Sequence, residues 1–66
     1  MRVVINGREQ AVEGSVTVSD LLRRLEIAGP SVAVELNRNI LPKTQHENTL
    51  LQEGDRLEIV TLVGGG

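Results

Sequence analysis

The sequence contains no cysteine, so neither disulfide bonds nor thiolate zinc sites can stabilise the fold. It also lacks phenylalanine, tyrosine and tryptophan, and its formal net charge is −2. Proteins that bind single-stranded nucleic acid use a positively charged groove and aromatic stacking platforms, so we do not expect this chain to bind nucleic acid. Without a thiol of its own, the protein requires a partner for any sulfur chemistry in which it takes part.

Long apolar runs are also missing, since unbroken apolar stretches extend over only a few positions. A membrane-spanning helix needs about 20 such residues, and the N-terminal segment has the alternation of a strand rather than the pattern of a signal peptide. We therefore expect a cytoplasmic protein that does not bind membranes. The 66 residues are enough for one small domain with a thin core.

Alternating apolar residues predict two N-terminal strands joined by a tight turn. Met1, Val3 and Ile5 fall on one side of the first strand. Asn6-Gly7 follows, and this dipeptide favours a type I′ turn, in which both central residues need positive φ. The segment "REQAVEG" is then predicted to return as an antiparallel strand.

The next segment, "TVSDLLRRLEI", changes to the period of a helix. Its apolar stripe consists of Val18, Leu21, Leu22 and Leu25. Thr17 is the predicted N-cap, and Asp20 stands where the acid of a capping box can reach back to it. We expect Gly29-Pro30 to end the helical region.

The second half of the chain predicts three more strands. "SVAVELN" alternates, and a turn leads from it to "ILP", a short strand that Pro42 confines to an edge or terminates. Residues 43–49 are polar and give no firm prediction. A turn at Glu53-Gly54-Asp55 precedes the last strand, residues 56–63.

The last strand has apolar residues on both sides. Leu57 and Ile59 can face a core, whereas Val60 and Leu62 fall on the same outward side as Glu58. Exposed apolar groups next to a terminus suggest a surface for docking a partner, although scattered surface hydrophobes are common. Val60 and Leu62 are therefore the predicted docking residues.

The element order predicts an α+β protein in which one main helix packs on one face of a mixed sheet of four to five strands. The first and last strands carry the densest apolar content and no proline, which places them side by side in the middle of the sheet. This arrangement is the β-grasp, or ubiquitin-like, fold. We expect residues 1–63 to form the domain and residues 64–66 a flexible glycine tail.

Residue patterns for catalysis within the chain are not found. His46 is the only histidine, and its polar surroundings favour a solvated loop residue over a base or a metal ligand, so no metal site is predicted. The carboxylates are spread along the elements without an evident acid–base pair, and no P-loop is present. We therefore expect no catalytic residues, no bound cofactor and no enzyme activity of the chain alone.

The terminal carboxylate of Gly66 is the remaining reactive group. With a pKa of roughly 3.3 to 3.7 it is an anion and a poor electrophile at neutral pH, so it needs activation, for example as an acyl-adenylate formed by a partner that binds ATP. A sulfur nucleophile would then give a thiocarboxylate, and an amine would give an isopeptide. Gly64 and Gly65 lack side chains that would block entry into a narrow active site.

The chain resembles the ThiS family, the sulfur carriers of thiamine biosynthesis, over its whole length. The resemblance lies in "VVING", "TVSDLLRRL", "VAVELNRNILP", "LQEGDRLEIV" and the final "VGGG". It implies that an E1-like adenylyltransferase of the ThiF type adenylates Gly66 with ATP. It further implies that sulfur from a cysteine desulfurase converts Gly66 to a thiocarboxylate, which supplies a thiazole synthase of the ThiG type.

Two alternatives remain open from the residues. A related carrier can donate sulfur for molybdopterin synthesis or tRNA thiolation with the same tail chemistry. A ubiquitin-like modifier or interaction module would instead join Gly66 to lysines. We expect a monomer that forms transient complexes through its last strand.

Overall fold

The computed structural model describes residues 1–61, and residues 62–66 lie outside the described residues. The elements are β1 (Arg2–Ile5), β2 (Arg8–Ala11), α1 (Val18–Arg24), β3 (Val32–Leu36), β4 (Asn39–Leu41), a 3₁₀ helix (Lys43–Gln45) and β5 (Arg56–Thr61). The strands form a single five-stranded sheet in the order β2-β1-β5-β3-β4. Within residues 1–61, no helix has both the length and the apolar character needed to cross a membrane.

The last strand lies at the centre of the sheet. β1 runs parallel to β5, with Val4 opposite Arg56, and β3 runs antiparallel to it, with Val34 opposite Ile59. The prediction that the first and last strands are neighbours in the middle of the sheet is confirmed. β5 is bordered by β1 as far as Leu57 and by β3 as far as Thr61, so its described end pairs on the β3 side.

The core lies between α1 and one face of the sheet. Its buried apolar residues are Val3, Ile5, Val12, Val16, Val18, Leu21, Leu22, Val34, Leu51, Leu57 and Ile59. Leu25 packs against this cluster from the end of the helical stripe. Burying an aliphatic side chain of this size contributes about 1.5–3 kcal/mol, so the alternation along β1 and β5 determines which face of the sheet α1 covers.

Two hairpins have the same turn geometry. Asn6 and Gly7 have φ values of 51° and 83°, as the predicted type I′ turn requires. Asn37 and Arg38 join β3 to β4 with φ values of 51° and 72°. In the second turn, both residues in the left-handed conformation have side chains, and asparagine adopts this conformation more readily than arginine does.

The capping box at the start of α1 is confirmed. The backbone N–H of Asp20 donates to Thr17 Oγ1 over 3.0 Å, and the backbone N–H of Thr17 donates to Asp20 Oδ2 over 3.1 Å. The end of the helix was predicted too late, because α1 stops at Arg24, well before Gly29-Pro30.

The helix ends in a turn through Glu26, which has a φ of 58°. The N–H of Glu26 donates to the carbonyl of Arg23 over 3.1 Å, and the N–H of Ile27 donates to that of Leu22 over 2.9 Å. This pair of bonds is a Schellman motif, in which Ile27 folds back toward Leu22 and the core. Glu26 occupies the position where glycine usually ends a helix, so no glycine in the sequence indicated the end of α1.

The prediction that His46 is a solvated loop residue is wrong. His46 is only 6% exposed, and its Nε2 lies 3.3 Å from the carbonyl oxygen of Leu41. The first N–H groups of a helix have no acceptor within the helix, and residues 43–49 supply backbone carbonyls to those of α1. The N–H of Val18 donates to the carbonyl of Thr49, and that of Ser19 donates to the carbonyl of His46, each over 2.9 Å.

Candidate functional site

The candidate site includes the sheet face opposite α1, which we call the outer face. Its residues alternate with the core residues along each strand and are Arg2, Val4, Glu9, Ala11, Ala33, Glu35, Ile40, Arg56, Glu58 and Val60. Val60 is 51% exposed, in agreement with the predicted outward orientation. The other predicted site residues, Leu62 and Gly64 to Gly66, lie outside the described residues.

The apolar part of the outer face is larger than the sequence analysis anticipated. Ala33 lies directly across from Val60 on β3. Ile40 is 79% exposed on β4 and lies opposite Glu35, one row further along the sheet. The outward orientation of Ile40 could have been predicted from the alternation in β4, because Leu41 packs on the core and successive strand residues face opposite sides.

Two carboxylates separate these apolar groups. Glu35 and Glu58 are directly opposed on β3 and β5, an arrangement that destabilises a sheet when both are charged. Neither forms a salt bridge within residues 1–61. Arg38 and Arg56 line a small hollow of about 90 Å³ together with these glutamates. An opposed like-charge pair departs from what stability alone favours, and such departures are expected at functional sites.

His46, the one histidine of the sequence, does not lie on the outer face. His46 lies on the α1 side of the molecule, where it lines an open groove with Ser19 and Lys43. Among residues 1–61, no cluster of three or more histidine, cysteine, aspartate or glutamate side chains is placed to hold a metal ion.

The pKa of the Asp20 carboxyl lies below its ordinary value. The hydrogen bond from the Thr17 backbone N–H lowers its pKa most, followed by the hydrogen bond with the Thr17 side chain. Desolvation raises the pKa, and the charges of Arg23 and Arg24 lower it by smaller amounts. Arg23 Nη1 lies 3.3 Å from Asp20 Oδ1. These contacts place the carboxylate at the start of α1, away from the outer face.

We predict that Asp20 makes the stability of the fold depend on acid pH. Because the folded pKa lies below the unfolded value of about 3.9, its stabilising contribution is present above that value and is lost as the pH falls through the folded pKa. Urea unfolding of the wild type and Asp20→Asn should show a constant difference in unfolding free energy above about pH 5 that shrinks below about pH 4. A difference that stays constant down to the lowest pH would contradict this assignment.

Residues 3–66 match the model of the ThiS family. The chain belongs to the ThiS family. The match covers both the described sheet and the glycines that follow it, which are the two parts of the candidate site.

Named relatives agree with this family assignment. Sulfur carrier protein ThiS of Bacillus subtilis is 38% identical over 50 residues, which cover 76% of each chain. Sulfur carrier protein ThiS of Escherichia coli is 26% identical over 66 residues and covers all of both chains. A protein named thiazole synthase in Paramagnetospirillum magneticum is 44% identical over the whole chain, which spans 20% of the length of that protein.

A solved ThiS structure shares the fold. The crystal structure of the thiamine biosynthesis protein ThiS from Geobacter metallireducens has a TM-score of 0.84 and 35% sequence identity, with all of both chains covered. The predicted β-grasp architecture of a ThiS protein, with one helix on a mixed five-stranded sheet, is confirmed.

Proposed function

We propose that this ThiS family protein carries sulfur as a thiocarboxylate on Gly66 and supplies it for thiazole formation in thiamine biosynthesis. The observation that carries the proposal is the family match through Gly66, on a chain whose central strand leads to the glycines. The proposal requires that the carboxylate of Gly66 ends the polypeptide. The chain then serves as a protein co-substrate rather than as an enzyme.

The chemistry proceeds in three steps on a partner. The Gly66 carboxylate attacks the α-phosphate of ATP, forms an acyl-adenylate and releases pyrophosphate. The outer sulfur of a donor persulfide then attacks the activated carbonyl, and AMP leaves, which gives an acyl disulfide. A thiol of the partner attacks the donor's sulfur, forms a disulfide with it, and so releases the thiocarboxylate of Gly66. Because the chain has no cysteine, the sulfur comes from outside, in our proposal from a cysteine desulfurase.

Docking through the outer face supports this chemistry. An E1-like adenylyltransferase of the ThiF type would contact Val60 and Ile40, which are exposed on neighbouring parts of the face, together with the predicted docking residue Leu62. Burying these groups offsets the entropy of ordering the glycines, about 1–2 kcal/mol per residue. The partner then receives the tail in its active site, and no cofactor is needed on this chain.

The sulfur acceptor in this proposal is a thiazole synthase of the ThiG type. Support comes from the 44% identity to a segment of a protein named thiazole synthase, in which a carrier-like sequence and the rest of that protein occupy one polypeptide. A carrier that works beside such an enzyme needs only transient contact with it. The monomeric state and the cytoplasmic location remain predictions.

Intact-mass measurement tests the proposal. Incubation with a ThiF-type enzyme, ATP and a sulfur source should replace one oxygen of the chain by sulfur, and the mass change should map to the peptide that contains Gly66. Omission of ATP should leave the mass unchanged. Conjugates to lysine without any thiocarboxylate would favour a ubiquitin-like modifier and overturn the proposal.

A further inference from the structure

We infer that Asn6 is a positioning residue for the reaction at Gly66, because its side chain continues the β1–β5 pairing beyond the end of β1. This inference rests on the proposed function. It concerns the direction in which β5 leaves the sheet and not the chemistry of the carboxylate.

The hydrogen bonds between β1 and β5 form a regular series. The N–H of Val4 donates to the carbonyl of Asp55, and the N–H of Asn6 donates to that of Leu57, each over 2.9 Å. After Asn6 the backbone turns away at Gly7, which has a φ of 83°. Beyond Asn6, the backbone therefore provides no N–H or carbonyl group that bonds to Ile59.

The Asn6 side chain takes the place of those missing groups. Its Oδ1 accepts from the N–H of Ile59 over 2.7 Å, and its Nδ2 donates to the carbonyl of Ile59 over 3.2 Å. Only this orientation of the amide matches one donor to one acceptor at both ends. The side chain thus bonds both backbone groups of one β5 residue, as a paired strand residue would.

The position of Ile59 makes this contact relevant to the tail. Ile59 lies two residues before the end of β5 at Thr61 and seven residues before Gly66. On its other flank β5 pairs with β3, where Val32 lies opposite Thr61. With Asn6 in place, β5 is held from both sides as far as Ile59, which restricts the directions in which the following residues can extend.

A second asparagine provides a matched control. Asn37 has the same φ of 51° as Asn6 and also starts a hairpin turn. Its Oδ1 accepts from the N–H of Arg56 over 3.0 Å, and its Nδ2 donates to Asp55 Oδ1 over 3.1 Å. Asn37 therefore secures the beginning of β5, about 10 Å from Ile59 at the usual rise of a strand.

The test compares Asn6→Gly with Asn37→Gly in the full-length chain. Glycine accepts positive φ, so each variant keeps its turn and loses only the side-chain bonds. Both should lower the melting temperature by a similar amount, about 4–8 °C. At a temperature where both remain folded, Asn6→Gly should lower kcat of thiocarboxylate formation about tenfold with KM within about twofold, and Asn37→Gly should change kcat less than about twofold.

A second measurement does not depend on the reaction. In ¹⁵N relaxation, the amide of Thr61 should become more mobile in Asn6→Gly and stay as in the wild type in Asn37→Gly. Equal kcat losses in the two variants, or an unchanged Thr61 amide in Asn6→Gly, would overturn the positioning role. If the wild type forms no thiocarboxylate, the proposed function fails, and the Thr61 comparison still decides whether Asn6 orients the end of β5.

Discussion

Deletion of Gly66 is expected to abolish thiocarboxylate formation and to leave the melting temperature almost unchanged. After the deletion, Gly65 carries the terminal carboxylate. The tail is then one residue shorter, so this carboxylate does not reach the same point in the active site of the partner. The core residues that the structure describes do not include Gly66, which has no side chain to pack in a core. Intact mass after incubation with the activating enzyme, ATP and a sulfur source measures the first effect, and a thermal melt measures the second.

Gly54→Ala is the matched control for this deletion, because it changes another glycine and is expected to lower stability without preventing thiocarboxylate formation. Gly54 has a φ of 84° in the turn before β5, where alanine is strained by roughly 1 kcal/mol. This variant should melt at a lower temperature and still form the thiocarboxylate when assayed below its transition. A large loss of stability on deletion of Gly66 would instead mean that the tail is structural.

Val60→Glu is expected to raise KM for the activating enzyme about tenfold or more, with little effect on stability. Val60 is 51% exposed, so the fold tolerates a larger polar side chain there. If the partner covers Val60, the substitution buries an unpaired negative charge in the interface, which is strongly unfavourable. The new charge also lies near Glu58 and Glu35, which are opposite each other on β5 and β3. Steady-state kinetics with the carrier as the varied substrate measures this change.

Gln10→Glu is the control for the charge itself. Gln10 is exposed on the edge strand β2, and its register opposite the core residue Val3 places it on the α1 side of the sheet rather than on the outer face. This variant should keep the wild-type KM, and Ile40→Glu shows whether the docking surface extends to β4. Equal KM values for Val60→Glu and the wild type would remove Val60 from the docking surface.

Local sequence patterns predicted most of the fold. The period of two in β1, β3 and β5, the Asn6-Gly7 turn and the Thr17 capping box are each set by interactions between residues close in the chain, so the sequence displays them directly. The position of β5 beside β1 also followed, because two apolar strands without proline have to share the covered middle of the sheet.

The misses have physical reasons in tertiary contacts. His46 stands in a polar segment, and its burial results from the need of α1 for acceptors at its N-terminus, which no local pattern reveals. The helix end at Glu26 depends on Ile27 returning to Leu22 and the core rather than on a glycine. Ile40 was missed as part of the outer face although its alternation with Leu41 indicated it.

By itself, the sequence determined the family, because the match runs from residue 3 to Gly66, and it determined that the chain has no cysteine with which to supply sulfur. Only the tertiary structure decided how the rest of the molecule supports that residue. It places β5 between β1 and β3, brings Val60, Ala33 and Ile40 onto one face, and bonds Asn6 to Ile59 across 53 positions of sequence. Such contacts arise from the closure of the sheet around its core, and a local sequence pattern cannot contain them.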